Sequence, residues 1–208
     1  MQPVPQLKLV APTVQTCTVM PMRKRNAAYR TREHLTEAEV ERLIKAASGN
    51  RYGHRDSTMI LLAFRHGLRA SELIDLRWDQ IDLNAATLHV RRVKSGTPAT
   101  HPLTGRELRA LRRLQREQEP KSPFVFTSER GAPFAIRGFQ AIVERAGVAA
   151  KIPFKVHSHM LRHATGFKLA NAGVDTRTIQ SYLGHKSIQH TVRYTELAPT
   201  RFRGLWHD

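Results

Sequence analysis

The chain has 208 residues, enough for one compact domain with a short tail, and its 40% hydrophobic content allows a buried core and excludes wholesale disorder. A single cysteine, Cys17, excludes an intramolecular disulfide framework and a multi-cysteine zinc site, which fits a reducing compartment. Lysine and arginine number 34 against 17 acidic residues, and the formal net charge of +17 favours a polyanionic partner, above all nucleic acid.

The first 34 residues contain four prolines and then a basic patch between Arg23 and Arg32. This composition predicts a flexible leader, which is either a plain disordered tail or an arm that lies on nucleic-acid phosphates. The pattern changes at Leu35, so we expect a folded domain over residues 35–208. No apolar run of about 18 residues predicts a membrane-spanning helix.

Helical patterns dominate the beginning of this domain. Thr36 and Glu39 form a capping box, and apolar residues then recur at helical spacing up to the stop signal Gly49. A second helix is predicted over Ser57–His66 and a third over about Ala70–Leu76.

A short β-structure follows. Thr87–Val90 and Ala99–Leu103 are predicted to pair as antiparallel strands around a turn at Lys94. Thr104 and Glu107 form a second capping box that opens the next helix. Further helices are predicted over Ala135–Ala146, closed by Gly147, and over Ser158–Ala172, Thr176–Leu183 and Ser187–Thr195. The expected fold class is therefore mainly α with a small antiparallel β-sheet (α+β).

Two cations lie at positions that suit phosphate binding. Arg69 is placed where a turn enters a helix, so that backbone N–H groups and a guanidinium could grip one anion, although a surface ion pair with Glu72 is the simpler alternative. Lys94 is placed at the tip of the hairpin, where it could deliver an ammonium group near a leaving oxygen or merely face solvent.

The last third of the chain holds further polar residues. His159 and Arg162 are three residues apart, which puts them on one helix face. His159 and His163 have the spacing of a zinc pair, but the glutamate of the usual motif is missing and Arg162 would repel a cation, so no metal site is expected. His185 follows a glycine, and Tyr194 lies nine residues further on; a lone tyrosine is more often a half-buried packing residue than a nucleophile.

Taken as a set, these residues resemble the active site of the tyrosine recombinases, the phage-integrase family: Arg69, Lys94, His159, Arg162, His185 and Tyr194. Three segments match that family's sequence boxes in order, namely Gly67–Leu73, His159–His163 and Tyr182–His185. The length and the ending His190–Trp206 are similar to those of the short recombinases that invert fimbrial promoter switches. The resemblance covers about residues 35–206 and implies the tyrosine recombinase catalytic-domain fold.

The resemblance implies DNA cleavage and rejoining through a 3′-phosphotyrosyl intermediate on Tyr194. A phenol, with a reference pKa of about 10, both attacks and departs more readily than an aliphatic hydroxyl. Arg69 and Arg162 would stabilise the charge that builds on the non-bridging phosphate oxygens.

The resemblance also assigns the proton transfers. Lys94 would protonate the leaving 5′ oxygen, His159 would assist proton transfer or hold the phosphate, and His185 would hydrogen-bond a non-bridging oxygen. Because the phosphoester bond energy stays in the covalent link, no cofactor, neither ATP nor a metal ion, is expected.

The partners implied are double-stranded DNA with inverted repeats, a homotetramer assembled on that DNA from subunits that are monomers when free, and accessory DNA-bending proteins. The protein would act in the cytoplasm, in association with the nucleoid, and would regulate transcription through DNA inversion. Larger family members add an N-terminal DNA-binding domain of about 100 residues, which leaves open how this chain completes a DNA clamp. The apolar tail residues Phe202, Leu205 and Trp206 would dock on a neighbouring subunit or on their own domain.

Three other functions are weighed against recombination. Relaxation of DNA supercoils, as by type IB topoisomerases, would use the same residues. A DNA-binding regulator of the same fold without catalysis would not need Tyr194, His159 and Lys94 together. A metal-dependent hydrolase is disfavoured because the histidines lack an acidic partner.

Overall fold

A computed structural model of the chain describes residues 32–92, 96–119 and 121–196. The predictions for the leader before residue 32, for Lys94 and for the tail after residue 196 lie outside these ranges. The described helices are α1 (Glu37–Ser48), α2 (Gly53–Arg65), α3 (Ala70–Ile74), α4 (Gly105–Glu117), α5 (Ile136–Ala149), α6 (His159–Asn171), α7 (Thr176–Leu183) and α8 (Gln189–Glu196). The described strands are β1 (Ile81–Asp82), β2 (Thr87–Val90) and β3 (Ala99–Pro102). The fold class is mainly α with a small antiparallel sheet, as predicted.

Helix starts are set by glutamates that cap the backbone. The capping box of Thr36 and Glu39 is present at α1, where the Thr36 N–H donates to Glu39 over 2.8 Å. The box of Thr104 and Glu107 opens α4 in the same way, also over 2.8 Å. A third glutamate, Glu72, accepts a hydrogen bond from the backbone N–H of Arg69, the residue before α3. Each carboxylate satisfies a donor that the helix itself leaves unpaired.

The three strands pair in the order β1-β2-β3, all antiparallel. Leu88 lies opposite His101, and Val90 lies opposite Ala99, which confirms the predicted hairpin. Leu88 and Val90 are buried because alternate residues of a strand point to the same face. The two-residue strand β1 and the short 3₁₀ turn before it, Trp78–Gln80, carry no sequence signal strong enough to be predicted.

Two helix boundaries differ by three residues or more from those predicted, and a closely packed glycine lies near each of them. Helix α2 begins at Gly53, four residues before the predicted start, and Gly53 lies so close to the backbone of Ser48 that a Cβ there would overlap it. Helix α5 continues through Gly147, which was predicted to end it. Gly147 packs against Val156, where a Cβ would come within 2.7 Å of a methyl carbon, so this glycine permits close packing within the helix.

Helix α6 joins two hydrophobic clusters. Its Met160 and Leu161 belong to the larger cluster formed with α1, α2 and α5, and its Phe167 and Ala170 belong to a smaller cluster formed with α7 and α8. Helix α6 therefore packs against the larger cluster near its start and against the smaller cluster near its end. None of the described helices is long and apolar enough to cross a membrane.

Candidate active site

Arg162 lies at the centre of the site, in the second turn of α6. Its side chain is 1% exposed, and its two terminal nitrogens donate to the carbonyl oxygens of Gly67, over 2.5 Å, and of Leu183, over 2.6 Å. Gly67 lies in the turn between α2 and α3, and Leu183 ends α7. Arg162 thus ties together the segments Gly67–Leu73, His159–His163 and Tyr182–His185, which carry four of the six predicted site residues.

Three guanidinium groups, one of them that of Arg162, surround the carboxylate of Glu72. Glu72 accepts hydrogen bonds from Arg69, over 2.5 Å, and from Arg92, over 2.8 Å, while a nitrogen of Arg162 lies 4.0 Å from it. We call these four residues the Glu72 cluster. The side chains of Arg92 and Arg162 are 0% and 1% exposed, whereas that of Arg69 is 27% exposed and faces solvent. The four side chains together carry two more positive charges than negative ones.

The electrostatics of the cluster favour an incoming anion. Burial, followed by the charges of Arg69 and Arg92, lowers the pKa of Arg162 to about 9, so that the guanidinium is still protonated at neutral pH. Burial would raise the pKa of Glu72, but the N–H of Arg69 and the charge of Arg92 outweigh it and lower this pKa, which keeps the carboxylate ionised. A phosphate placed against Arg69 would relieve the repulsion among the three cations.

Arg92 was assigned no function from the sequence, although its strand gives a signal. The inward alternation of Leu88 and Val90 in β2, extended by one step, places Arg92 on the buried face. There it also donates to the carbonyl oxygens of His66 and Tyr182.

The Arg92 side chain packs between two glycines. A Cβ at Gly96 would lie 2.8 Å from the Arg92 side chain, and one at Gly184 would lie 2.7 Å from it. Gly184 also adopts a left-handed conformation, with φ of +64°, that disfavours other residues. Arg92 therefore fixes the chain on both sides of the cluster, after β2 and just before His185.

His185 follows this turn and is oriented by α8. Its Nδ1 lies 2.8 Å from the hydroxyl oxygen of the buried Thr191. Burial, followed by the charges of Arg162 and Arg69, lowers the pKa of His185 to about 3, so the ring is neutral at neutral pH. In the tautomer in which Thr191 donates to Nδ1, the protonated Nε2 is left to donate to a phosphate oxygen.

Tyr194 lies on α8 and packs against α6. Its ring lies directly on Gly166, where a Cβ would come within 2.6 Å of a ring carbon, and meets the Phe167 ring edge-on at 5.1 Å. The side chain is 2% exposed, and its hydroxyl lies 2.9 Å from Nδ1 of His163. Burial raises the pKa of the phenol, and Arg162 offsets this only in part, so the oxygen retains its proton.

The structure brings most of the predicted site residues into one neighbourhood. Arg69 and Arg162 share the carboxylate of Glu72, Arg162 also bonds the carbonyl oxygen of Leu183, two residues before His185, and the His185 ring lies 6.3 Å from the Tyr194 ring. His159 begins α6 and meets His163 edge-on at 4.5 Å. The ion pair between Arg69 and Glu72, which was the simpler interpretation of Arg69, is also present, but it is part of the larger Glu72 cluster. The residues that sequence reasoning did not place in the site are Glu72, Arg92, His163 and Thr191.

The chain matches the phage integrase family over residues 33–201, and it belongs to that family. Among curated relatives, the type 1 fimbriae regulatory protein FimB of Escherichia coli (strain K12) is 43% identical over 187 residues, which cover 88% of this chain and 94% of FimB. FimE of the same strain is 42% identical over 84% of this chain and 91% of FimE. Tyrosine recombinase XerD of Ralstonia nicotianae is 34% identical over 82% of this chain, but over 58% of XerD.

Solved structures agree with the family assignment. The crystal structure of XerA recombinase superposes with a TM-score of 0.71 at 29% identity, over 82% of this chain and 62% of XerA. XerH site-specific recombinase bound to a palindromic difH substrate, in a post-cleavage complex, gives a TM-score of 0.71 at 20% identity and shows the likeness of fold alone. The chain spans less than two thirds of these longer recombinases and nearly the whole of FimB. The resemblance predicted from the sequence is confirmed.

Proposed function

We propose that this protein is a tyrosine-type site-specific DNA recombinase, which cuts and rejoins duplex DNA through a 3′-phosphotyrosyl bond to Tyr194. The observation that carries this proposal is the Glu72 cluster, an excess of buried positive charge that Arg162 ties to the segment holding His185, whose ring lies 6.3 Å from the Tyr194 ring. A DNA phosphodiester is anionic and gains charge during attack, so preformed cations stabilise its transition state more than its ground state.

Each predicted site residue has a place in this scheme. Arg69 is the most exposed guanidinium of the cluster and would contact a non-bridging oxygen first, while the buried Arg162 would hold the phosphate from the side of the core. His185, neutral and oriented by Thr191, would donate to the same phosphate. Lys94 would protonate the 5′ oxygen as it leaves, and His159 would hold the phosphate or assist proton transfer.

The natural reaction that we propose is inversion of a short DNA element, such as a promoter switch, between inverted repeats. Its support is the match of FimB and FimE, named as type 1 fimbriae regulatory proteins, over nearly their whole length. A homotetramer on the DNA, formed from free monomers with the help of DNA-bending proteins, would carry out the strand exchange in the cytoplasm. Solved relatives bound to DNA, such as the lambda integrase dimer on a core site, support DNA as the partner.

The domain arrangement that we propose is a basic arm over residues 1–34, followed by the catalytic domain over residues 35–208. The contacts of residues 32–34, the last three residues of this proposed arm, support an attachment to the domain. Arg32 donates to Glu39 over 2.5 Å, Glu33 pairs with Arg193, and the His34 ring lies 3.9 Å from that of Phe167.

A covalent trapping assay tests the proposed function. DNA half-sites would first be identified by immunoprecipitating the protein with chromosomal fragments from its host. Nicked duplexes that carry these half-sites lose a short 5′-hydroxyl fragment after cleavage and so cannot be rejoined. With divalent metal chelated, the wild-type protein should form a covalent protein–DNA band, and peptide mapping should find the nucleotide on Tyr194. Specific binding without any covalent product would contradict the proposal.

Thr191→Val should slow DNA cleavage by about fivefold, since the loss of one orienting hydrogen bond to His185 costs ~1 kcal/mol. The measurement is the single-turnover rate with the nicked duplex. Thr195→Val, on the same helix, removes a hydroxyl that bonds Thr176 and is the matched control. Equal rates for the two variants would show that Thr191 does not orient a reacting group.

A further inference from the structure

We infer that His163 is the general base that removes the proton of the Tyr194 hydroxyl during attack on DNA. This inference rests on the proposed function and adds a catalytic residue to it. Its starting point is the contact of 2.9 Å between His163 Nδ1 and the Tyr194 oxygen, which is within the reach that proton transfer requires.

The packing of α6 against α8 holds this contact in place. His163, Gly166 and Phe167 are three and four residues apart, so they share one face of α6. The Tyr194 ring lies on Gly166 and against Phe167. Its hydroxyl therefore lies beside His163, one turn nearer the N-terminus of α6. A side chain at position 166 would push the ring away, so the glycine is what brings phenol and imidazole together.

The protonation states of the two residues suit proton transfer from Tyr194 to His163. Burial, followed by the charges of His159, Arg193, His157 and Arg162, lowers the pKa of His163 to about 3. The imidazole is therefore neutral at neutral pH and can accept a proton at Nδ1 when Nε2 carries the other one. Tyr194, by contrast, keeps its proton because burial raises its pKa.

Bound DNA would strengthen this base. Burial is the largest cause of the low pKa of His163, and the cations and histidines on α6, on α8 and just before α6 lower it further. A phosphate anion docked against Arg162 would screen them and favour the imidazolium. His163 would then be a weak base in the free protein and a stronger one when the target phosphate is in place.

The proton and the electron pairs balance in both directions. In cleavage, the Tyr194 O–H bond breaks and its proton moves to His163 Nδ1. The phenol oxygen forms a bond to phosphorus, and the bond from phosphorus to the 5′ oxygen breaks as that oxygen takes a proton from the general acid, Lys94 in our scheme. In rejoining, the 5′ hydroxyl gives its proton back to the neutral general acid as its oxygen bonds to phosphorus, the bond from phosphorus to the phenol oxygen breaks, and the departing phenolate recovers its proton from His163.

Two substitutions separate a base from a residue that only positions Tyr194. His163→Ala removes both roles. His163→Asn retains an amide oxygen close to the place of Nδ1, which can still accept the Tyr194 hydrogen bond but cannot take its proton. Both variants should cleave nicked DNA at least about 100-fold more slowly than wild type. His89→Ala, on an exposed strand position, is the matched histidine control and should cleave normally.

Modified reactants identify the missing proton transfer. A 5′-bridging phosphorothiolate has a leaving group that needs no proton, so it should restore cleavage to Lys94→Ala but not to either His163 variant. A fluorinated tyrosine at position 194, whose phenol is more acidic, should restore the His163 variants by at least about tenfold. Cleavage by His163→Asn within about tenfold of wild type, restoration by the phosphorothiolate, or no restoration by the fluorinated tyrosine would each overturn the inference. Failure of the wild-type protein to form any covalent complex would instead overturn the proposed function.

Discussion

Replacement of Tyr194 by phenylalanine should reduce covalent attachment to DNA, and with it all strand rejoining, below detection. The change removes the oxygen that would bond to phosphorus and leaves the ring on Gly166 and Phe167. The lost hydrogen bond to His163 should cost only ~1 kcal/mol of the free energy of unfolding. Denaturing gels with nicked duplexes measure the covalent product, and retardation of intact duplexes measures binding.

The variant should therefore bind DNA as well as wild type while cutting none of it. Tyr52→Phe is the matched control, because that tyrosine lies between α1 and α2 and contacts Arg51 and Arg55, away from the Glu72 cluster. It should leave covalent attachment intact. A covalent band that persists in Tyr194→Phe would show that another residue is the nucleophile.

Replacement of Glu72 by glutamine should have the largest effect on stability, a loss of about 3–5 kcal/mol in the free energy of unfolding. The carboxylate is buried with two buried guanidiniums and a third that is partly exposed. Neutralising it leaves those cations facing one another in a medium of low dielectric constant. Urea unfolding of the free protein measures the loss.

A second substitution tests this electrostatic explanation. Arg92→Met in the Glu72→Gln background removes one of the unbalanced cations, and the double variant should recover part of the lost stability. Glu41→Gln is the matched control. Its exposed carboxylate pairs with both terminal nitrogens of Arg106, at 2.6 and 2.9 Å, and should contribute less than about 1 kcal/mol. A loss for Glu72→Gln no larger than that of Glu41→Gln would contradict the proposed role of the cluster.

Local features of the fold could be predicted because their physical causes lie within a few residues. The capping boxes at Thr36 and Thr104 need only a hydroxyl and a glutamate three residues later. The left-handed end of α7 needs only Gly184. The boundaries that were predicted wrongly, at Gly53 and Gly147, are set instead by contacts with Ser48 and Val156 that local patterns do not contain.

The sequence by itself determined the helical framework, the hairpin, the charge that favours DNA and, through the family resemblance, six candidate site residues. Only the tertiary structure decided which neighbours those residues have. Arg92 and Glu72 are 20 residues apart in the chain, and His163 and Tyr194 are 31 apart, yet each pair is in direct contact. The physical reason is that burial and charge act through space: a guanidinium becomes the buried partner of a carboxylate, and an imidazole meets a phenol oxygen, only when packing brings groups that are distant in the chain within hydrogen-bonding distance.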